Sequence, residues 1–548
     1  MLAIFLTALA AFLIAYRIYG RYLDKKFDID EKRPTPSHYD YDGVDRVPAK
    51  APVLLGHHFS SIAGAGPIVG PIIAGIAFGW LPALLWIVLG SIFIGGVHDY
   101  SSLMASIRHK ARSVAEIARQ HMSGFSYKMF LIFIWLALVY ILIVFTDLTS
   151  AGFTNSPEVA SSSTFFILLA IAFGFTVYRS GLTVGKASFI FVPLVFLDVF
   201  IGHKLPLTQD LIPAFIAGDM GKTWNILLLA YCLLASVTPV WALLQPRDYL
   251  SSFLLYASLI AAFIGILIGG FEINYPAFIS WSNESLGALF PILFITIACG
   301  ACSGFHCIVA SGTTSKQLDK ETDARKIGYG AMLIEGVVAV IALLTVVMLA
   351  SNSELIKEDP LAVYGSGMGN FLELLGLPFE FGRSFGILAV STFLLTTLDT
   401  STRLGRYVFE ELFNLKGKYV RFLSTAATLV FPVIFTFVSL RDAQGAVVPA
   451  WKAIWPVFGA TNQLLGALAL LVVYVWMKKT HKNAVFVAIP MLFMLVMTMW
   501  ALLQLIGQMG FTTIGVIAIM LFALALALVV EAVRTVFHRT EALVKESA

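Results

Sequence analysis

Charge is scarce in this chain: Asp, Glu, Lys and Arg make up 13% of its 548 residues, against roughly 25% in a soluble domain. Hydrophobic residues make up 58%, with a mean hydropathy of +0.85. That balance excludes a string of ordinary water-soluble domains. Long polar stretches are also missing, since apolar runs of near membrane-spanning length recur from Met1 to Arg534. Only four cysteines occur, Cys232, Cys299, Cys302 and Cys307, all inside apolar segments, so a disulfide framework is excluded and free thiols are expected. No Walker A sequence appears, which argues against ATP drive. The net charge is +4, but the basic residues are spread over many short loops, which disfavours a nucleic-acid partner. No basic segment precedes the first apolar run, and Arg17, Arg21, Lys25 and Lys26 follow it, so it reads as a transmembrane helix held at its cytoplasmic end and not as a signal peptide.

What is present is one all-α polytopic membrane domain of about 15 transmembrane helices, at roughly 20 residues per span. After the first, spans are predicted at 57–78, 81–99, 129–148, 163–179, 186–201, 223–243, 250–269, 288–310, 328–350, 385–402, 422–438, 453–477, 484–503 and 513–533. Lysine and arginine supply an independent test, because cytoplasmic loops retain positive charge. The odd-numbered connections and the C-terminal tail hold 31 of the 37, which predicts the N-terminus outside and the C-terminus in the cytoplasm of a multi-pass plasma-membrane protein embedded in lipid. The thinnest support is the turn at Gln245 to Asp248, which rests on Arg247 alone. The chain divides into an N-terminal helix (1–20), a cytoplasmic loop (21–56), a membrane core (57–480) and C-terminal helices with a short tail (481–548).

Within the second span, Gly56-His57-His58-Phe59-Ser60-Ser61-Ile62-Ala63-Gly64-Ala65-Gly66-Pro67-Ile68-Val69-Gly70-Pro71 carries four glycines and two prolines. Glycine permits unusual backbone angles and proline removes an amide donor, so the helix is expected to break in mid-membrane. Freed backbone groups are tolerated there only in buried protein or a hydrated cavity, which is how discontinuous helices build substrate and ion sites. Close packing through small residues is the alternative. The ninth span has a second interruption, Ile297-Ala298-Cys299-Gly300-Ala301-Cys302-Ser303-Gly304-Phe305-His306-Cys307. By the charge pattern the two interrupted spans run in opposite directions. Each is followed by a helix, a long polar connector (100–128 and 351–384) and three more helices, which is inverted-repeat geometry.

The segments Gly56 to Pro67, Gly95-Gly96-Val97-His98-Asp99-Tyr100, Cys299 to His306 and Leu398-Asp399-Thr400-Ser401-Thr402-Arg403 resemble motifs of the carbon starvation protein A family, in order and over residues 1 to about 480. The resemblance implies an inner-membrane transporter of pyruvate or short peptides used when preferred carbon is scarce. It also implies a LeuT-like five-plus-five inverted-repeat core of the amino acid/polyamine/cation superfamily, plus extra helices. The starts of the two interrupted spans are offset by seven helices where a minimal core needs five, so either helices seven and eight are insertions or the repeat is aligned differently.

Candidate substrate- or ion-binding residues are His57, His58, Ser60, Ser61, Gly64, Gly66, Ser303, Gly304 and His306 around the breaks, with Thr396, Thr397, Thr400 and Ser401 on the eleventh span. Thr396/Thr400 and Thr397/Ser401 form neighbouring i, i+4 stripes of hydroxyls suited to a hard cation beside carbonyls freed near Gly64. Ordinary bonding of these hydroxyls to the preceding turn is the plain alternative for each. Asp399, His98 and Asp99 are candidates for proton or ion coupling, because ionisable groups inside a membrane are functional by default. An ion pair between Asp399 and Arg403 at i+4 is the structural alternative. His98 and Asp99, as sequence neighbours, are not expected to face each other. Asp198 and Glu335 are further buried acids, either relay members or interhelical hydrogen-bond partners. Cys299, Cys302, His306 and Cys307 fit a metal site poorly, for want of a second Cys-x-x-Cys. The expectation is a secondary transporter with no catalytic residue, no metal and no cofactor beyond a coupling H+ or Na+. A passive channel and an intramembrane redox or metal enzyme are the rival classes.

Overall fold

The computed structural model describes residues 1–42, 46–239, 242–417, 419–441 and 445–546, with only the backbone of 536–546. Its longer helices, with the halves of two broken ones, are α1 (Leu2–Lys26), α2 (Ala51–Ile62), α3 (Gly66–Phe78), α4 (Trp80–Arg108), α5 (Gly124–Asn155), α6 (Pro157–Tyr178), α7 (Val184–Lys204), α8 (Met220–Val237) and α9 (Leu244–Ile268). Then come α10 (Leu289–Thr296), α11 (Phe305–Val309, continuing irregularly to Gln317), α12 (Glu321–Val347), α13 (Pro360–Glu373), α14 (Phe379–Leu412), α15 (Val420–Phe437), α16 (Ala450–Lys479), α17 (Val485–Met509) and α18 (Thr513–Glu546). Two antiparallel pairs of two-residue strands are the sheets among the described residues.

Thirteen of these helices are long and apolar enough to cross a membrane, and α2 with α3, bent by 48° at their junction, makes fourteen. The predicted ninth span is present as two short pieces, α10 and α11, on either side of residues 297–304. The predicted seventh span extends to 243, but α8 ends at Val237, and residues 240 and 241 lie outside the described residues.

Burial sorts the helices into a centre and a rim. In α16, 94% of the most apolar stretch is buried, and in α12 and α14 89%, whereas α1 has 22% and α7 and α15 have 28%. The rim helices present Leu, Ile, Phe and Val outward, as contact with hydrocarbon requires. The central helices carry the polar side chains, and they hold the two broken pairs.

On the face predicted to be cytoplasmic, the segment after α1 docks on the turn before α12. Thr35 and Ser37 hydroxyls donate to the Leu318 carbonyl at 2.5 and 2.7 Å. The buried Glu321 carboxylate accepts from the Asp30 amide at 3.2 Å and pairs with Arg33 and Arg108.

Candidate functional site

The first break follows from local covalent chemistry. Pro67 has no amide to donate to the Ala63 carbonyl, Pro71 none for Pro67, and glycines at 64 and 66 release the backbone from helical angles. The Ala63 amide still reaches Phe59 (2.8 Å) and the Gly64 amide turns back on Ile62 (2.8 Å). α3 then restarts with the Ile68 and Val69 amides on the Ala65 carbonyl at 3.0 and 2.8 Å. Among the described residues the amides of Ala65 and Gly66 have no protein acceptor, so the start of α3 presents two N–H groups and the positive end of its dipole.

The second break lies directly against the first. A Cβ on Gly66 would sit 2.4 Å from the Cys299 sulfur, one on Gly70 2.5 Å from the Thr296 carbonyl oxygen, and one on Gly300 3.4 Å from Pro67 Cα. The glycines therefore serve close approach as well as backbone freedom, and the two readings of the sequence hold together. Gly64 faces α14, where a Cβ would come within 2.8 Å of the Thr397 hydroxyl.

Unlike the first break, the second has its backbone capped by side chains from other helices. Trp86 donates to the Ile297 carbonyl (3.1 Å), Trp455 to Thr296 (3.3 Å), Ser91 to Gly300 (3.0 Å), and Gln463 to Phe294. Asn462 on α16 contributes most: its side-chain oxygen accepts the Phe305 amide (3.0 Å), its carbonyl accepts the Gly304 amide (3.0 Å), and its NH2 reaches Ser303 (3.0 Å) and the Cys299 sulfur (3.2 Å). Sequence reading missed Asn462, although Thr461-Asn462-Gln463 inside an apolar run was a visible signal. A small space of about 10 Å³ remains between the breaks, bounded by Gly64, Gly66, Cys299, Phe305, Thr397 and Asn462. It is about large enough for one water.

Beside the breaks lies a buried row of ionisable groups. The Asp99 carboxylate joins two imidazoles, with His98 Nδ1 and His306 Nδ1 each 2.7 Å from one of its oxygens. On the other side of His306, Nε2 lies 3.2 Å from Glu335 on α12. That contact is not aligned as a hydrogen bond, and neither Glu335 oxygen has a hydrogen-bond partner among the described residues. All four side chains are fully buried. The expectation that His98 and Asp99 do not face each other is thus corrected: the helix separates their Cβ directions, but the ring turns back onto its neighbour's short side chain, and His306 fixes the other oxygen. His58 is separate, with Nδ1 2.8 Å from the Thr314 hydroxyl.

A second ionic group lies on α14. Asp399 pairs with Arg247, itself fully buried, and accepts from the Tyr231 hydroxyl at 2.8 Å, while Arg247 Nη2 lies 3.3 Å from Asp248. This corrects two expectations. Asp399 does not pair with Arg403, which instead donates to the Ala235 and Thr238 carbonyls (2.8 and 2.7 Å), the orphan acceptors at the end of α8. Arg247 is not a loop cation but the neutralising charge of a buried carboxylate.

The remaining candidates are placed plainly. Ser60 and Ser61 donate to the His57 carbonyl one turn back (3.2 and 2.8 Å), Thr396 to Thr392 (2.9 Å) and Thr397 to Phe393 (3.0 Å). Ser401 is buried with its hydroxyl unpartnered among the described residues, while His57 and Thr400 are half-buried and outside both ionic groups. The hydroxyl stripes do not converge; Thr397 alone of the four bounds the space between the breaks. All four cysteines are buried free thiols.

Known proteins resemble this chain in sequence over most of its length. A profile described as "Carbon starvation protein CstA" matches residues 1–356 and 349–501. The chain is 32% identical to the pyruvate/proton symporter BtsT of Escherichia coli, over 91% of this chain and 81% of that one. It is 32% identical to the peptide transporter CstA of Campylobacter jejuni (91% and 79%) and 31% identical to that of Escherichia coli (91% and 80%). Among solved structures, a manganese transporter from Eremococcus coleocola aligns over 91% of this chain and 98% of its own, at 14% identity and a TM-score of 0.49.

Proposed function

We propose, since the chain belongs to the carbon starvation protein CstA family, that it is a proton-coupled secondary transporter which takes up pyruvate or a short peptide across the bacterial inner membrane. Two helices broken opposite one another carry the reading, with the amides of Ala65 and Gly66 unspent at their meeting point. Pyruvate and a peptide share a carboxylate, the group that the N-terminus of α3 attracts. The Thr397 hydroxyl and the Asn462 side chain lie around the same space and would orient it. That space holds about one water in the present form, so loading requires α14, or α5 with Ile141 and Phe145 on the same space, to move away from the breaks, as alternating access entails.

We assign coupling to the buried ionisable groups, with the proton favoured because the relative BtsT is a pyruvate/proton symporter and sodium the alternative. The N-terminus is placed outside and the C-terminus in the cytoplasm, on the distribution of lysine and arginine. The core is read as a LeuT-like inverted repeat on the opposed breaks, with α8 and α9 as additions that bring Tyr231 and Arg247 to Asp399.

The test is uptake of labelled pyruvate, and separately of labelled dialanine, into proteoliposomes of the purified protein under an imposed proton gradient, with and without sodium. Accumulation above the external concentration that collapses with a protonophore is expected for one of the two. Equilibration without accumulation would identify a passive channel instead.

A further inference from the structure

We infer that Glu335 takes up and releases the coupling proton, and that His306 links its charge state to the substrate site; this rests on the symport reading above. The argument begins from what surrounds the carboxyl group. Glu335 lies on α12, in which 89% of the most apolar stretch is buried, and its own side chain is fully buried. Neither oxygen receives a hydrogen bond among the described residues. An ionised carboxylate in such a place is costly unless a cation or donors neutralise it. The ionisable groups that act on it are His306, Asp99 and the thiols of Cys299 and Cys302 at the second break, while His98, His58 on α2 and Cys307 act on Asp99. None is a permanent cation.

Asp99 differs from Glu335 in this respect. Its two oxygens each accept an imidazole N–H at 2.7 Å, so its charge is held by hydrogen bonds whether or not the rings are protonated. The proton that can come and go without breaking that bridge is one carried by Glu335, whose carboxyl group lies 3.2 Å from His306 Nε2. With Glu335 protonated, His306 stays neutral, with Nε2 bare and facing the carboxyl group. When the proton crosses to Nε2, an imidazolium stands between two carboxylates. That transfer leaves the net charge of the row unchanged; passing the proton on to water, on the side then exposed, removes one positive charge from the row while Asp99 keeps its two imidazole partners.

The position of His306 ties this to transport. It stands two residues after Gly304 and one after Phe305, whose amides are both held by Asn462, and Phe305 and Asn462 both bound the space beside Gly64 and Gly66. A change of charge on His306 therefore acts on the first turn of α11, the element that closes one side of the proposed substrate site. The irregular, wider turn at Ala310–Thr314 just beyond it lets that segment shift without unwinding α11 from its start.

The experiment compares wild type with Glu335→Gln in proteoliposomes, measuring gradient-driven accumulation and, separately, exchange of labelled for unlabelled substrate at equal pH, with pyruvate or dialanine as the wild type dictates. Glu335→Gln is expected to lose accumulation and to keep exchange, with an exchange rate that no longer varies with pH. A variant that accumulates as the wild type does overturns the inference and leaves the symport reading standing. A wild type that never accumulates under a proton gradient overturns the reading, and the inference with it. Should Glu335→Gln lose exchange as well, infrared difference spectra of the monodisperse proteins decide: a protonated-carboxyl band that titrates in the wild type and is absent from the variant supports the assignment, and one that persists unchanged overturns it.

Discussion

Asp399→Asn is expected to weaken folding before it says anything about coupling. Asp399 pairs with the fully buried Arg247 and accepts from Tyr231, and Arg247 in turn reaches Asp248 at 3.3 Å. Removing one member of a buried pair costs about 3–5 kcal/mol because the other charge is left without its partner. The lower end applies here, since Asp248 stays beside the guanidinium, so the expected loss is about 3 kcal/mol, on the order of 100-fold in the unfolding equilibrium. Arg247→Met orphans two carboxylates, Asp399 and Asp248, and belongs at the upper end, about 5 kcal/mol. The double variant Arg247→Met/Asp399→Asn removes one of those orphans and is therefore expected to be more stable than Arg247→Met alone, although it carries an additional substitution. Equilibrium unfolding in mixed SDS micelles reads all three. If Asp399→Asn unfolds within about 0.5 kcal/mol of wild type, or if the double variant is weaker than Arg247→Met, the pair does not hold this region and the reasoning fails.

Gly66→Ala places a methyl group 2.4 Å from the Cys299 sulfur and 2.5 Å from its Cβ; it is expected to cost about 1–3 kcal/mol and to stop uptake, with partial recovery when Cys299→Gly is added. Asn462→Ala leaves the Phe305 amide and Ser303 without their partner, at about 1–3 kcal/mol for each buried group so orphaned, which the thermal melting of the detergent-solubilised protein will register. Glu321→Ala should loosen the segment after α1 by removing the acceptor of the Asp30 amide and the partner of Arg33, seen as faster proteolytic cleavage between residues 27 and 50. Asp28, whose carboxyl is held below its ordinary range by the Lys482 ammonium at 2.8 Å, contributes stability that is present above the ordinary carboxylate range and lost as pH falls through its lower folded value. Lys482→Met should remove that acid-side dependence from the melting curve.

The breaks were legible because their causes are local. Proline lacks an amide and glycine lacks a Cβ wherever they stand, so Gly64 to Pro71 and Gly300 to Gly304 announce irregular backbone in any context. The partners were not legible, because they come from distant positions: Asn462 caps Gly304 and Phe305 across more than 150 residues, and Arg247 meets Asp399 at a separation of 152. Charge counting read Arg247 as a loop cation because it sits near a helix start, and only its buried acceptor reveals otherwise. The hydroxyl stripe of α14 looked like a cation site because spacing records direction and not satisfaction; Thr396 and Thr397 spend their protons on the turn before. For His98 and Asp99 the face rule failed because it describes where side chains leave the helix, not where a ring and a short carboxylate meet after turning.

The most direct test of the central claim is the time course of labelled pyruvate and labelled dialanine in proteoliposomes carrying the wild-type protein in known orientation, with a proton gradient imposed and then abolished. The account predicts that one of these substrates accumulates above its external concentration without sodium and leaks back when a protonophore is added. Uptake that only equilibrates, or that follows a sodium gradient and ignores protons, would contradict it.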